Sequence, residues 1–322
     1  MATVDILGVP HAYDLTAPKA PSSPVLVFIH GWLLSRRYWR PLIDKLASDY
    51  QCLAYDLRGF GDSQANTSYS HKSSEISPLT LGNSRTEEGF FASNIMPDSP
   101  PRITGGSNLS RYTPSAYAED LGRLLQAMKI DRAWLIGHSL GGTIALWGAA
   151  QMPERVQGAI CLNTGGGIYL KEAFERFRGA GAQLVKMRSP WLGCVPGIDL
   201  LLARMNVAHP LPRYWGRQRL WDFLAAEPEA ALGALLDSTT EEEVNCLPRL
   251  VAKLQQPAYF IAGEQDRVME PKYVRYLGSF HRLFQAGKDN AIAIPNCGHL
   301  AMLEQPDLLA AHIRDILAAG GE

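Results

Sequence analysis

Ser139, Asp266 and His299 are a nucleophile, an acid and a base whose order along this 322-residue chain suits acyl transfer. Ser139 sits in Gly137-His138-Ser139-Leu140-Gly141, between the apolar run Ala133–Ile136 and the small, apolar stretch Gly142–Ala150. A Gly-x-Ser-x-Gly pattern between a strand and a helix is a nucleophile elbow, a tight turn that lifts one hydroxyl clear of a sheet. The flanking glycines are needed because side chains there would collide with the turn and its neighbours. A serine at a helix N-terminus also lies where backbone N–H groups favour developing negative charge. An ordinary turn has the same composition, so the rest of the constellation carries the weight.

Acyl transfer needs a base for the serine proton, a carboxylate to orient that base, and donors for the oxyanion. Asp266 lies in Gly263-Glu264-Gln265-Asp266-Arg267-Val268, just after the strand expected over Pro257–Ala262. Glu264 and Glu270 are its nearby competitors, and capping the next helix is its bland role. The other common acid position follows the preceding strand, but Asn163 stands there without charge, which favours Asp266. His299 follows Asn296-Cys297-Gly298, just beyond the strand expected over Ala291–Ile294; none of the other histidines follows a late strand. All three groups therefore fall at carboxyl ends of parallel strands, where open α/β sheets place their sites. The backbone N–H groups of Leu140, after the nucleophile, and Trp32, in the His30-Gly31-Trp32 turn, are the expected oxyanion donors. His30 is expected to brace that turn, and His138 to point away and fill space behind the elbow.

The elements that must hold these groups read as alternating strands and helices. Thr3–Leu7 and His11–Leu15 flank Gly8-Val9-Pro10 as a starting hairpin. Strands are expected at Val25–Ile29, Gln51–Tyr55 and Val156–Leu162, and helices at Tyr38–Ala47, from Thr113, over Pro271–Phe284 and over Leu300–Leu317. This alternation implies a mostly parallel sheet with helices on both faces. Residues 64–112 hold ten serines, four acids and four bases with no usable periodicity, and read as a long polar insertion. Residues 165–251 break the alternation and read as a helical cap, leaving 1–164 and 252–322 as the core.

The formal net charge of −1 gives no global field pointing to nucleic acid. No apolar run approaches a membrane span, and the first fifteen residues lack the basic start and apolar stretch of a signal peptide. The five cysteines are scattered and without Cys-x-x-Cys spacing, so neither disulfides nor zinc are expected, and a reducing cytoplasm fits.

His30-Gly31, Asp56-x-Arg58-Gly59-x-Gly61-x-Ser63, the Gly137–Gly142 elbow, Gly263-x-x-Asp266 and Gly298-His299 together resemble the α/β-hydrolase superfamily. The similar group contains epoxide hydrolases, esterases and carbon–carbon bond hydrolases. The resemblance implies an α/β-hydrolase fold, with an eight-stranded, mostly parallel sheet, flanking helices and an inserted cap. It also implies a serine hydrolase with no cofactor and no metal. Epoxide hydrolases and haloalkane dehalogenases of this group use an aspartate nucleophile, so Ser139 argues against both activities. The segment after Ser63 is normally short in that group and is lengthened here by the polar insertion.

Across residues 165–222 nine Lys/Arg face four Asp/Glu, interleaved with Trp191, Leu192 and Leu200–Leu202. Such a segment can seat a lid on an anionic membrane surface, or can be a solvated face over an apolar core. An apolar cap over a serine triad suits a small hydrophobic ester, such as a medium or long acyl chain, a lipid or a prenyl-type ester. Hydrolytic carbon–carbon cleavage with the same triad and a low-turnover ligand receptor of the same fold are the alternatives.

Overall fold

A computed structural model describes residues 2–19, 23–64, 111–164 and 171–319, with side chains from 175 onward in the last stretch. The polar insertion, apart from Gln64, Arg111 and Tyr112, and the glycine run 165–167 lie outside these residues. Among the described residues there are eight strands: β1 (Ala2–Ile6), β2 (Val9–Leu15), β3 (Val25–Ile29), β4 (Cys52–Tyr55), β5 (Ala133–His138), β6 (Val156–Leu162), β7 (Ala258–Gly263) and β8 (Ala291–Ile294). They form one sheet in the order β1-β2-β4-β3-β5-β6-β7-β8. The hairpin β1–β2 and the β2–β4 pair are antiparallel, and every later pair is parallel. The site-bearing ends of β3, β5, β6, β7 and β8 therefore all face one edge.

β3, β4 and β5 are buried along their whole length, as central strands covered on both faces must be. Their side chains alternate between two apolar layers. Leu135 lies in one layer with Leu121, Leu124 and Leu125 of α2 (Pro114–Ala127) and Ile144 of α3 (Leu140–Gln151). Trp134 and Ile136 face the opposite layer, with Leu42 and Leu46 of α1 (Arg40–Leu46) and Leu309, Ile313 and Ile316 of α12 (Pro306–Ala319). Truncating one such buried leucine to alanine costs about 2–5 kcal/mol. Helix α2 starts where Thr113 Oγ1 accepts from the Ala116 N–H at 3.1 Å, with Pro114 in its first turn.

Between β6 and β7 run α4 (Lys171–Lys186), a short 3₁₀ turn (Pro190–Cys194), α5 (Ile198–Leu202), α6 (Arg213–Ala225), α7 (Pro228–Ser238) and α8 (Glu241–Lys253). No strand interrupts them. Two helices expected as single pieces are broken. Pro271–Phe284 divides into α9 (Pro271–Gly278) and α10 (Arg282–Gln285), because His281 Nδ1 accepts the Leu283 N–H at 3.2 Å and starts a new helix. Leu300–Leu317 divides into α11 (Ala301–Glu304) and α12, because Pro306 cannot continue the hydrogen-bond ladder and instead opens the next helix. No described helix is long and apolar enough to cross a membrane.

Candidate active site

Ser139 occupies the one-residue turn between β5 and α3, with φ 52° and ψ −118°. A non-glycine residue there is strained by about 1–3 kcal/mol and persists only where its surroundings fix it. The Ser139 N–H donates to Leu162 O at 2.9 Å, and Ser139 O accepts from the Gly142 N–H at 2.9 Å. The Thr164 hydroxyl lies 3.1 Å from the same carbonyl. A Cβ on Gly137 would sit 2.1 Å from Gly141 O, and one on Gly141 would sit 2.1 Å from Ile29 O. The two glycines thus let the turn close on itself and press against β3. Ser139 is half-buried at the start of a twelve-residue helix.

The second expected donor turn follows β3. Buried His30 donates from Nδ1 to Gly31 O at 2.8 Å and accepts the Leu57 N–H on Nε2 at 2.9 Å. Both ring nitrogens are used by a neutral imidazole, and burial lowers its pKa accordingly. The Trp32 indole donates to Ala231 O in α7 at 2.7 Å, fixing the turn against the following helices. Among the described residues, no hydrogen bond engages the backbone N–H of Trp32 or of Leu140.

Asp266 and His299 meet. Both are buried, and His299 Nδ1 lies 2.7 Å from Asp266 Oδ2. The opposite carboxylate oxygen accepts the N–H groups of Val268 at 2.8 Å and Met269 at 3.0 Å. Burial pushes the Asp266 carboxyl up, but the His299 ring, the Met269 N–H and the Asn163 amide outweigh it, and the net shift is downward. An ionised Asp266 places the His299 proton on Nδ1 and leaves Nε2 free to act as a base. Glu264 and Glu270 are exposed, and Glu270 pairs with Lys272 at 2.7 Å instead. Among the described residues no hydrogen bond joins the Ser139 hydroxyl to His299. The nucleophile strand nevertheless reaches that ring, because the His138 and His299 ring centroids are 4.8 Å apart.

Three supporting residues were not singled out as such in the sequence. Asn163, at φ 49°, donates its side-chain amide to Asp266 Oδ2 at 2.9 Å and to Gly298 O at 3.1 Å. The only sequence signal is its place at the strand end where the alternative acid would stand. His138 does more than fill space. Its Nε2 donates to the His299 carbonyl at 2.7 Å, and burial holds it neutral, with its pKa pushed down to about 3. Glu304 in α11 accepts the N–H groups of Gly298 at 2.9 Å and Leu300 at 3.0 Å, the neighbours of His299 on either side. Its Oε2 also takes the Ala208 N–H at 2.7 Å, while the His299 N–H donates to Asn206 O at 2.9 Å. The loop after α5 is thus bonded directly to the histidine loop.

The Asp56-to-Ser63 motif is structural. Asp56 accepts the N–H groups of Arg36 at 2.6 Å and Asp62 at 2.8 Å and pairs with the Arg36 guanidinium. Ser63 Oγ takes the Ala12 N–H at 2.9 Å, and Arg58 pairs with buried Asp120 at 3.1 Å. A further contact joins the turn after β3 to α6, where Ser35 Oγ donates to buried Asp222 at 3.2 Å. Burial raises the Asp222 carboxyl to about 7, with the nearby Asp56 charge acting in the same direction.

A model of the alpha/beta hydrolase family matches residues 26–312. The chain is 23% identical over 304 residues to the uncharacterized hydrolase YugF of Bacillus subtilis, covering 92% of this chain and 91% of that protein. It is 27% identical over 301 residues to a pimeloyl-[acyl-carrier protein] methyl ester esterase of Xanthomonas campestris, covering 92% and 96%. Among solved structures, a thermophilic esterase from Thermogutta terrifontis superposes with a TM-score of 0.67 at 22% identity, over 99% of this chain and 97% of that one. The family match spans the sheet from β3 onward, the strained serine turn and the histidine loop, and on that ground this chain belongs to the alpha/beta hydrolase family and is a hydrolase.

Proposed function

We propose that the chain hydrolyses a carboxylic ester of a hydrophobic substrate through a covalent acyl-enzyme on Ser139. The carrying observation is the 2.7 Å bond between His299 Nδ1 and Asp266, set against a serine held on a strained turn at a helix N-terminus. His299 Nε2 takes the Ser139 proton as Oγ attacks the ester carbonyl. The N–H groups of Leu140 and Trp32 receive the oxyanion, an interaction for which one donor is worth about 2.7–4 kcal/mol of the barrier. As the tetrahedral intermediate collapses, the imidazolium gives its proton to the departing alcohol. Water, deprotonated by the same ring, then releases the acid and restores the hydroxyl. Asp266 stays ionised throughout and holds the ring in the required tautomer.

The apolar setting supports a hydrophobic acyl or alcohol group. A Cβ on Gly181 of α4 would sit 2.6 Å from Leu235 of α7 and 3.5 Å from the Trp32 ring, so α4 and α7 bring apolar groups up to the Trp32 side chain. The esterase named among the relatives supports ester chemistry. A relative from Serratia proteamaculans, 24% identical, is a 2-succinyl-6-hydroxy-2,4-cyclohexadiene-1-carboxylate synthase, so other uses of this type of site need to be compared. Turnover of chromogenic esters of graded chain length, with Ser139→Ala as control, tests the proposal. An expected burst of alcohol and labelling of Ser139 by a fluorophosphonate support it. A Ser139 inert to fluorophosphonates, with Ser139→Ala as active as the parent, overturns it.

A further inference from the structure

The surface of the segment between β6 and β7 is unlike the rest of the molecule. Nine of the twelve exposed large apolar or aromatic side chains among the described residues fall between Phe177 and Trp221. Met187, Trp191, Leu201 and Trp221 are 65%, 61%, 64% and 65% exposed. The other three, Leu7, Leu15 and Tyr276, belong to β1–β2 and α9 and are the scattered kind that any surface carries. A concentration of this sort marks an interaction site.

These side chains belong to elements that touch. Arg188, just after α4, donates to Phe223 O of α6 at 3.2 Å. A Cβ on Gly193, in the turn that carries Trp191, would lie 4.0 Å from Leu224 of α6. Helix α5, which carries Leu201, lies along α6, where Arg219 donates to Leu202 O at 2.8 Å. On α6 itself Arg213, Arg217 and Trp221 recur every four residues and share the outer face.

The charge of this surface is one-sided. Across Glu175 to Ala225 eight Lys/Arg stand against three acids: exposed Glu175, buried Asp222 and Asp199. The Asp199 carboxylate is shared by Arg213 at 2.6 Å and Arg217 at 3.1 Å, both with more than half of their side chains exposed, so the cluster keeps a net positive charge. Lys186 and Arg204 are exposed beside Met187 and Leu201. Two copies of such a face would bring like charges together, which disfavours self-association. An anionic bilayer instead offers phosphates for the guanidinium and ammonium groups and an interfacial zone that takes Trp, Tyr and Leu side chains.

We propose that the outer face of α4, α5, α6 and the Pro190–Cys194 turn docks on an anionic phospholipid membrane surface. Docking is peripheral, with Trp191, Leu201 and Trp221 inserted at headgroup level and the basic residues set against lipid phosphates. It does not rest on the ester chemistry, because binding is read without turnover.

Co-sedimentation of the full chain with vesicles of mixed phosphatidylcholine and phosphatidylglycerol, compared with phosphatidylcholine alone, tests this. Partition onto the anionic vesicles is expected to be about tenfold greater and to fall at high salt. The triple variant Trp191→Ser, Leu201→Ser, Trp221→Ser and the charge variant Lys186→Glu, Arg204→Glu should each lower it by about tenfold. Thermal melts should show both variants folded; if the triple variant is not, the charge variant decides. Partition that is absent, equal on both vesicle types, or unchanged in the folded variants overturns the proposal. So does a concentration-dependent dimer, seen by sedimentation velocity and abolished by the same substitutions, without vesicle binding.

Discussion

Asn163 Nδ2 donates to the same Asp266 oxygen that His299 Nδ1 contacts, at 2.9 Å and 2.7 Å respectively. The amide stabilises the ionised carboxylate and fixes which lone pair faces the imidazole. Asn163→Gly, which removes the amide but accepts the positive φ, should lower kcat by about tenfold, the cost of one charge-assisted hydrogen bond. It should also raise the Asp266 pKa toward its ordinary value. Because the folded value lies below 3.8, the stability tied to this carboxylate is complete above 3.8 and is lost as pH falls through the folded value. Urea unfolding across the acid range should show a smaller acid loss in the variant than in the parent.

Ser139 stores backbone strain in the turn between β5 and α3. Ser139→Gly should abolish ester turnover while raising unfolding stability by about 1–2 kcal/mol, since glycine adopts φ 52° without the Cβ penalty. Ser139→Ala should be as inactive without the gain. Chemical denaturation of the three proteins side by side checks the difference.

His138 holds the His299 backbone and stays uncharged at working pH, its pKa being near 3. His138→Ala should cost about 2–4 kcal/mol of stability through the cavity and the stranded carbonyl. Its kcat should drop, while the acid limb of the kcat/KM profile stays at the parent pH. A displaced acid limb would mean that His138 itself titrates in the reaction.

Glu304 bonds both neighbours of His299 and the Ala208 N–H. Glu304→Ala strands three amides and should reduce kcat by about 10- to 100-fold, with a lower melting temperature. Glu304→Gln keeps one acceptor oxygen and should fall between the two. Steady-state kinetics and thermal melts of both variants provide the check.

Asp222 gives the opposite pH signature to Asp266. Its folded pKa is raised from 3.8 to about 7, so the folded state holds a proton that the unfolded state has released. Stability from this source is fully present below 3.8 and is lost as pH rises through about 7. Asp222→Asn, which mimics the protonated form, should flatten that decline and be more stable than the parent at alkaline pH. Unfolding midpoints from acid to alkaline pH decide it.

The strand-to-helix turn at Ser139 and the loops holding Asp266 and His299 were legible because each is written in consecutive residues beside an apolar strand. The eight-stranded sheet was legible for the same reason. The roles of Asn163 and His138 were not, because each acts on groups brought near only by the parallel pairing of β5 through β8, while Glu304 acts on the nearby N–H groups of Gly298 and Leu300, a local cap hidden by reading Leu300–Leu317 as one helix. The break at Gln305-Pro306 was present in the sequence as a proline. The break before α10 was not, since it depends on a histidine ring acting as a cap.

The Asn206 carbonyl that receives the His299 N–H lies in the segment between β6 and β7, while the imidazole follows β8. A substitution that displaces the backbone near Asn206 would therefore be felt at the His299 ring, far away in sequence but one hydrogen bond distant.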